Sequence, residues 1–333
     1  MGLLLRIGWV AVALFLLAGQ LHAQGSGGNY EEDLAEEGIK LKTYIERLRP
    51  LLAQHGDASV KAIESQIRFQ TSNERFPNAW VVRDPGSGRS TIFMTPAYRL
   101  LITYLADADV VSFTTPGFIN CRQIYVDALF NSLGNNRTRS ASGQTPRRLL
   151  APEVFLDTAP GSCDKFKAKF PIEPKHRPGR DYAVNNVVAL GYLHELGHVA
   201  LGHTPVSIAN LEALPTNSMR LNEFARLMTR SRSQEYQADD WAIDRFVELS
   251  NNPLEALTNV LSTFYLAFGG FDCSLEAADT HPNGFQRFSR QMDRLKTRAK
   301  ALGKFPNNPE LTKLIDDTAA VAAKAQTNLQ CPK

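Results

Sequence analysis

An α+β fold, mostly helical, is what the sequence predicts, and three observations predict it. From Tyr182 onward the apolar residues recur at helical spacing almost without a break. Two short runs, 79–82 and 91–94, flank the turn sequence Asp84-Pro85-Gly86-Ser87-Gly88 and read as a β-hairpin. The chain has 333 residues, 43% of them hydrophobic and 21% charged, enough apolar material for a sizeable core and too little net charge for disorder as the main state.

Residues 1–6 carry one positive charge, 7–21 are almost wholly apolar, and Leu21-His22-Ala23 precedes a polar Gly/Ser run. This reads as a secretory signal over 1–23, followed by a linker over 24–29, so the mature chain is expected to be exported, periplasmic or secreted. The 7–21 run falls short of the ~20 residues of a spanning helix. No later run is long enough either, and the mature chain is expected to have no transmembrane segment. Residues 31–52 have helical spacing that ends at Pro50, and 60–69 read as a second helix. The hairpin follows, then a helix over 96–105.

The stretch 107–180 reads as a loop-rich insertion within one domain covering 30–333. Prolines recur at 152, 160, 171, 174 and 178, and 137–180 holds ten Lys/Arg against four Asp/Glu. That excess predicts a solvated basic surface able to make weak contact with an anionic membrane surface. A formal charge of +3 over the whole chain gives no reason to expect nucleic acid. Further helices are expected over 182–201 (closed by Gly202), 221–250, 253–268, 283–302 and 310–326. The four cysteines, Cys121, Cys163, Cys273 and Cys331, allow two disulfides in three pairings, and proximity favours Cys121 with Cys163 and Cys273 with Cys331.

The chemistry centres on His194-Glu195-Leu196-Gly197-His198. In this H-E-x-x-H pattern the two imidazoles lie one helical turn apart on the same face, where they can share a metal ion, and Glu195 can reach a water on it. Apolar flanks, 187–190 and 199–201, make the helix a buried one, and buried His and Glu need partners. A catalytic zinc takes three protein ligands. The metzincin pattern is excluded, because Leu201 and Thr204 stand at its next two positions. Glu235 supplies the third ligand instead, and Asp239, one turn on, accepts the second ring N–H of a ligand histidine.

With these residues the sequence resembles the HtpX and CAAX-prenyl-protease family of zinc metallopeptidases, which share a thermolysin-like gluzincin core. The matches are His194-Glu195-Leu196-Gly197-His198 with His203, Glu235-x-x-Ala238-Asp239, His281-Pro282 with Arg287, and Asn78-Ala79-Trp80 followed by Ile92-Phe93-Met94-Thr95. The resemblance covers roughly 30–106 and 182–300. It implies one Zn2+ held by His194, His198 and Glu235, Glu195 as general base, and His281 and Arg287 as donors to the oxyanion. It also implies an active-site edge strand at Thr91, Ile92, Phe93 and Met94, to which a substrate adds in extended form. The insertion, Gln286 in place of Glu, and the missing membrane helices depart from the family pattern.

The function expected is therefore a zinc endopeptidase acting on extended or unfolded polypeptide, in cell-envelope protein quality control. Two rivals stand beside it: a catalytically inactive zincin-like binding or chaperone protein, and a metal-dependent hydrolase of some other bond. A latent enzyme is a further expectation, with Cys163 or His176 of the insertion closing the open metal position.

Overall fold

The computed structural model describes residues 30–84, 86–203, 216–254, 257 and 284–305, with parts of 309–320. The chain opens with α1 (Tyr30–His55), which presents Leu34, Leu41, Ile45, Leu48 and Leu52 to the interior at spacings of three, four and seven. It does not stop at Pro50 as expected. A proline there removes only one backbone hydrogen bond, and buried Leu52 on the next turn holds the helix to the core. Helix α2 (Ala58–Glu64) starts on Asp57, whose carboxylate accepts from the Val60 N–H at 2.9 Å.

The expected second helix ends at Glu64, and its tail is a strand, β1 (Ile67–Thr71). With β2 (Ala79–Arg83) and β3 (Ser90–Met94) it forms a three-stranded mixed sheet in the order β1-β3-β2. Strand β3 pairs in parallel with β1, from Ile67 with Ser90 to Thr71 with Met94. It pairs antiparallel with β2, from Ala79 with Met94 to Arg83 with Ser90. Ser90, Ile92 and Met94 point into the core while Thr91 and Phe93 are half-exposed, the period of two that strands impose.

Thr95 couples the sheet to α3 (Pro96–Thr114). Its hydroxyl accepts from Tyr98 N at 3.1 Å and Asn78 N at 3.0 Å, and donates to Phe76 O at 2.9 Å. Most of α3 is buried, because it serves two apolar clusters at once. One cluster joins α1, α2, the sheet and α3 to α6 (Arg177–Ala200), α7 (Asn217–Leu249) and α8 (Gly284–Ala301). The other joins α1 and α3 to α4 (Ile119–Ala141), α5 (Pro152–Thr158) and a 3-10 segment (Gly161–Lys169).

The second cluster corrects the expected loop-rich insertion, which is largely helical and packed. Phe118, Tyr125, Leu129, Phe155 and Phe166 are almost fully buried in it. Asn136 sits on α4 and ties it to the following segment, exchanging hydrogen bonds with Arg147 N at 2.7 Å and Arg147 O at 2.9 Å. Cys121 and Cys163 form a disulfide across this lobe, with Cα atoms 5.7 Å apart, a bond compatible with export. Cys273 and Cys331, the signal at 1–23, the linker at 24–29 and most of the helices expected at 253–268 and 310–326 lie outside the described residues. Among the described residues no helix is long and apolar enough to cross a membrane.

Helices α7 and α8 run parallel, with side-chain pairs at a constant offset of 50 residues: Tyr236 with Gln286, Asp240 with Arg290, Asp244 with Arg294 and Glu248 with Arg298. Phe288, Met292, Leu295 and Ala299 form the buried stripe of α8 beside this ladder. The apolar stripe holds the helices together, and the ladder sets their register.

Candidate metal centre

Two helices bring the candidate residues together, and a glycine lets them meet. His194 and His198 project from one face of α6, one turn apart. Between them, Gly197 faces α7, where an added Cβ would lie 3.1 Å from Ala238 O and 3.3 Å from Ala238 Cα. Ala238 is fully buried there. It is flanked by Glu235 and Asp239, one turn apart on α7, so the bare Gly197 backbone sets how closely these carboxylates approach the imidazoles.

The Nε2 atoms of His194 and His198 are 3.1 Å apart. Glu235 faces both, with Oε2 3.3 Å from His194 Nε2 and Oε1 3.5 Å from His198 Nε2. Behind His194, Asp239 Oδ1 lies 2.8 Å from Nδ1. Arg287, in the first turns of α8, donates to both oxygens of Asp239, at 2.8 Å from Nε and 2.7 Å from Nη2, and its Nη2 is also 3.6 Å from Glu235 Oε2. One turn back on α7, the Tyr236 hydroxyl donates to Gln286 Oε1 at 2.9 Å.

His194, His198 and Glu235 are a group able to hold a metal ion: one donor atom from each lies within 4.8 Å of the other two. The donor chemistry fits. Asp239, as a carboxylate, faces the N–H of His194 Nδ1, which leaves the Nε2 lone pair facing the other two residues. Burial opposes a charge on His194, yet the hydrogen bonds and charges of Asp239 and Glu235 overcome it and raise its pKa to about 10. Burial and the neighbouring His194 push His198 down to about 3. Two carboxylates therefore favour a cation where the two imidazoles converge, a place able to take a metal ion. Asp239 stays ionised despite its burial, held well below the usual carboxylate range by Arg287 and by the His194 hydrogen bond.

The remaining expected residues fall as follows. Glu195 is on the same turn of α6 as His194 and is 7% exposed. Arg287 is an ion-pair partner of the two α7 carboxylates. His281 lies outside the described residues. The expected edge strand of Thr91, Ile92, Phe93 and Met94 is the central strand of the sheet, with backbone partners on both sides, so a substrate cannot add there. Among the described residues the outer strands of the sheet are β1 and β2. Neither expected latency residue reaches the site. Cys163 is fully buried and disulfide-bonded, and His176 precedes α6, about 27 Å before His194 at the rise of a helix.

The basic excess over 137–180 is partly neutralised, since Arg148, Lys167, Lys175 and Arg180 pair with Asp33, Asp157, Glu173 and Asp107. Sequence reasoning missed the packing role of Gly197 and the side-chain role of His203, whose Nδ1 is 3.0 Å from His198 Nδ1. A glycine inside the H-E-x-x-H pattern and another at its helix end are the signals that could have found them. No protein-family model, curated protein or solved structure matches the chain.

Proposed function

We propose that the chain is a zinc-dependent endopeptidase of the thermolysin-like gluzincin type, similar to the HtpX and CAAX-prenyl-protease family, and that it is exported. The observation that carries this reading is the convergence of His194, His198 and Glu235 beside Glu195, with Asp239 behind His194. Two imidazoles and one carboxylate are the donor set of a catalytic zinc with a position left open for substrate. Zinc in this set would supply Lewis acidity, polarising the scissile carbonyl and lowering the pKa of water at the open position.

The protein's own groups do the rest. Glu195 takes the proton of the attacking water and passes it to the leaving amine. Asp239 and Arg287 keep His194 and Glu235 in place through the reaction. By resemblance, His281 donates to the oxyanion. An extended polypeptide adds to the outer edge of β2, a strand that packs on α6.

The test is incubation of the protein with unfolded casein, with and without a zinc chelator, beside Glu195→Gln. The expected result is chelator-sensitive cleavage, absent from Glu195→Gln while that variant still binds zinc. Cleavage by Glu195→Gln would remove Glu195 as the base. Stoichiometric zinc without any cleavage would favour the inactive binding or chaperone reading.

A further inference from the structure

Just past α6 the chain places a third imidazole against the metal centre. Gly202 adopts a φ of 64°, the left-handed region that favours glycine. Its N–H donates to Val199 O at 3.1 Å, and the His203 N–H donates to His198 O at 2.9 Å. These are the paired bonds of a glycine-terminated helix, and they fold His203 back beside His198. The two Nδ1 atoms are 3.0 Å apart. On its other side His203 Nε2 lies 3.2 Å from Gln237 Oε1 on α7, and Gln237 Nε2 donates to Ser233 Oγ at 3.2 Å.

With the Gln237 amide directing its N–H to Ser233 Oγ, its Oε1 accepts and His203 Nε2 carries a hydrogen. Neutral His203 then has its lone pair at Nδ1. The hydrogen between the two rings belongs to His198 Nδ1, which leaves the His198 lone pair at Nε2, the atom that faces His194 and Glu235. The opposite arrangement would put a hydrogen on His198 Nε2 and remove one of the three donors.

We propose that His203 and Gln237 are positioning residues that hold His198 in its metal-binding tautomer. They do for the second ligand, without charge, what Asp239 does for the first. The inference rests on the metal-centre reading and deepens it. It also accounts for the use of Gly202: a residue that could not turn the chain at that point would leave His198 Nδ1 to solvent.

Zinc affinity of the full chain, measured by competition with a chromophoric chelator, tests this for wild type, His203→Leu, His203→Asn and Gln237→Leu. Asparagine puts Oδ1 near the position of the imidazole Nδ1 and accepts without help from Gln237. The expected result is an affinity about 10–100-fold lower for His203→Leu, with Co2+ absorption changed in step, and recovery to within about threefold of wild type in His203→Asn. Gln237→Leu shows a smaller loss in the same direction, and serves as the reading if His203→Leu does not fold. Equal affinity of wild type and both leucine variants overturns the inference alone. So does a His203→Asn variant as weak as His203→Leu, which would mean that the ring packs and does not accept. A wild-type chain that binds no zinc overturns the metal-centre reading with it.

Discussion

Arg287 shows how much of the site depends on one side chain's direction. Its guanidinium spans Asp239 and reaches Glu235, so a single planar fork orients a zinc-ligand candidate and the partner of another. Lysine keeps the charge but lacks the planar fork that meets both Asp239 oxygens side by side. Arg287→Lys is expected to lower zinc affinity about tenfold or more while leaving the fold in place; chelator competition beside a thermal melt checks it, and an unchanged affinity would reduce Arg287 to a structural ion pair. The ligand candidates themselves were legible in the sequence, because a four-residue spacing puts His194 with His198, and Glu235 with Asp239, on common helix faces. The pairing of Arg287 with the α7 carboxylates was not. It depends on how α8 lies across α7, which no spacing within α8 encodes.

Between elements, the closest approach is at Gly197, and it gives a second prediction. Alanine there would meet Ala238 backbone atoms at 3.1 and 3.3 Å, tighter than ordinary contact. The helices must part by a few tenths of an ångström, and Glu235 and Asp239 withdraw with α7. Gly197→Ala is expected to cost about 1–3 kcal/mol of stability and to weaken zinc binding, read by denaturant unfolding and by the same competition assay. Loss of stability with unchanged affinity would show that the side chains absorb the shift. Most helices could be read from their periodicity. Strand β1 could not: it is five residues long, with a burial pattern that fits either period, and its parallel pairing with β3 is not local. Without β1, β3 reads as an edge.

Across the molecule, α3 divides two apolar clusters, one that includes α6 and α7 of the candidate metal centre and one inside the lobe of α4 and α5. The disulfide belongs to the second and closes a sequence separation of 42 residues. Chain-entropy arguments assign a loop of that length roughly 4 kcal/mol. Reduction, or Cys121→Ala with Cys163→Ala, is expected to lower unfolding stability by about that amount while zinc stoichiometry at room temperature is kept. Zinc release on reduction would show that the two clusters unfold as one. The lobe read as loop because its helices are separated by prolines and α4 has a polar sequence, and only the tertiary contacts reveal which few aromatic residues it buries. The parallel course of α8 along α7 has one more effect. Parallel packing brings the amino-terminal turn of α8, with Gln286 and Arg287, to the corner held by Glu235 and Asp239. The peptide dipoles of α8 add there to a partial positive charge of about half a unit. The helix itself, apart from any side chain, favours ionised carboxylates at Glu235 and Asp239; an antiparallel α8 would have turned its negative end toward them.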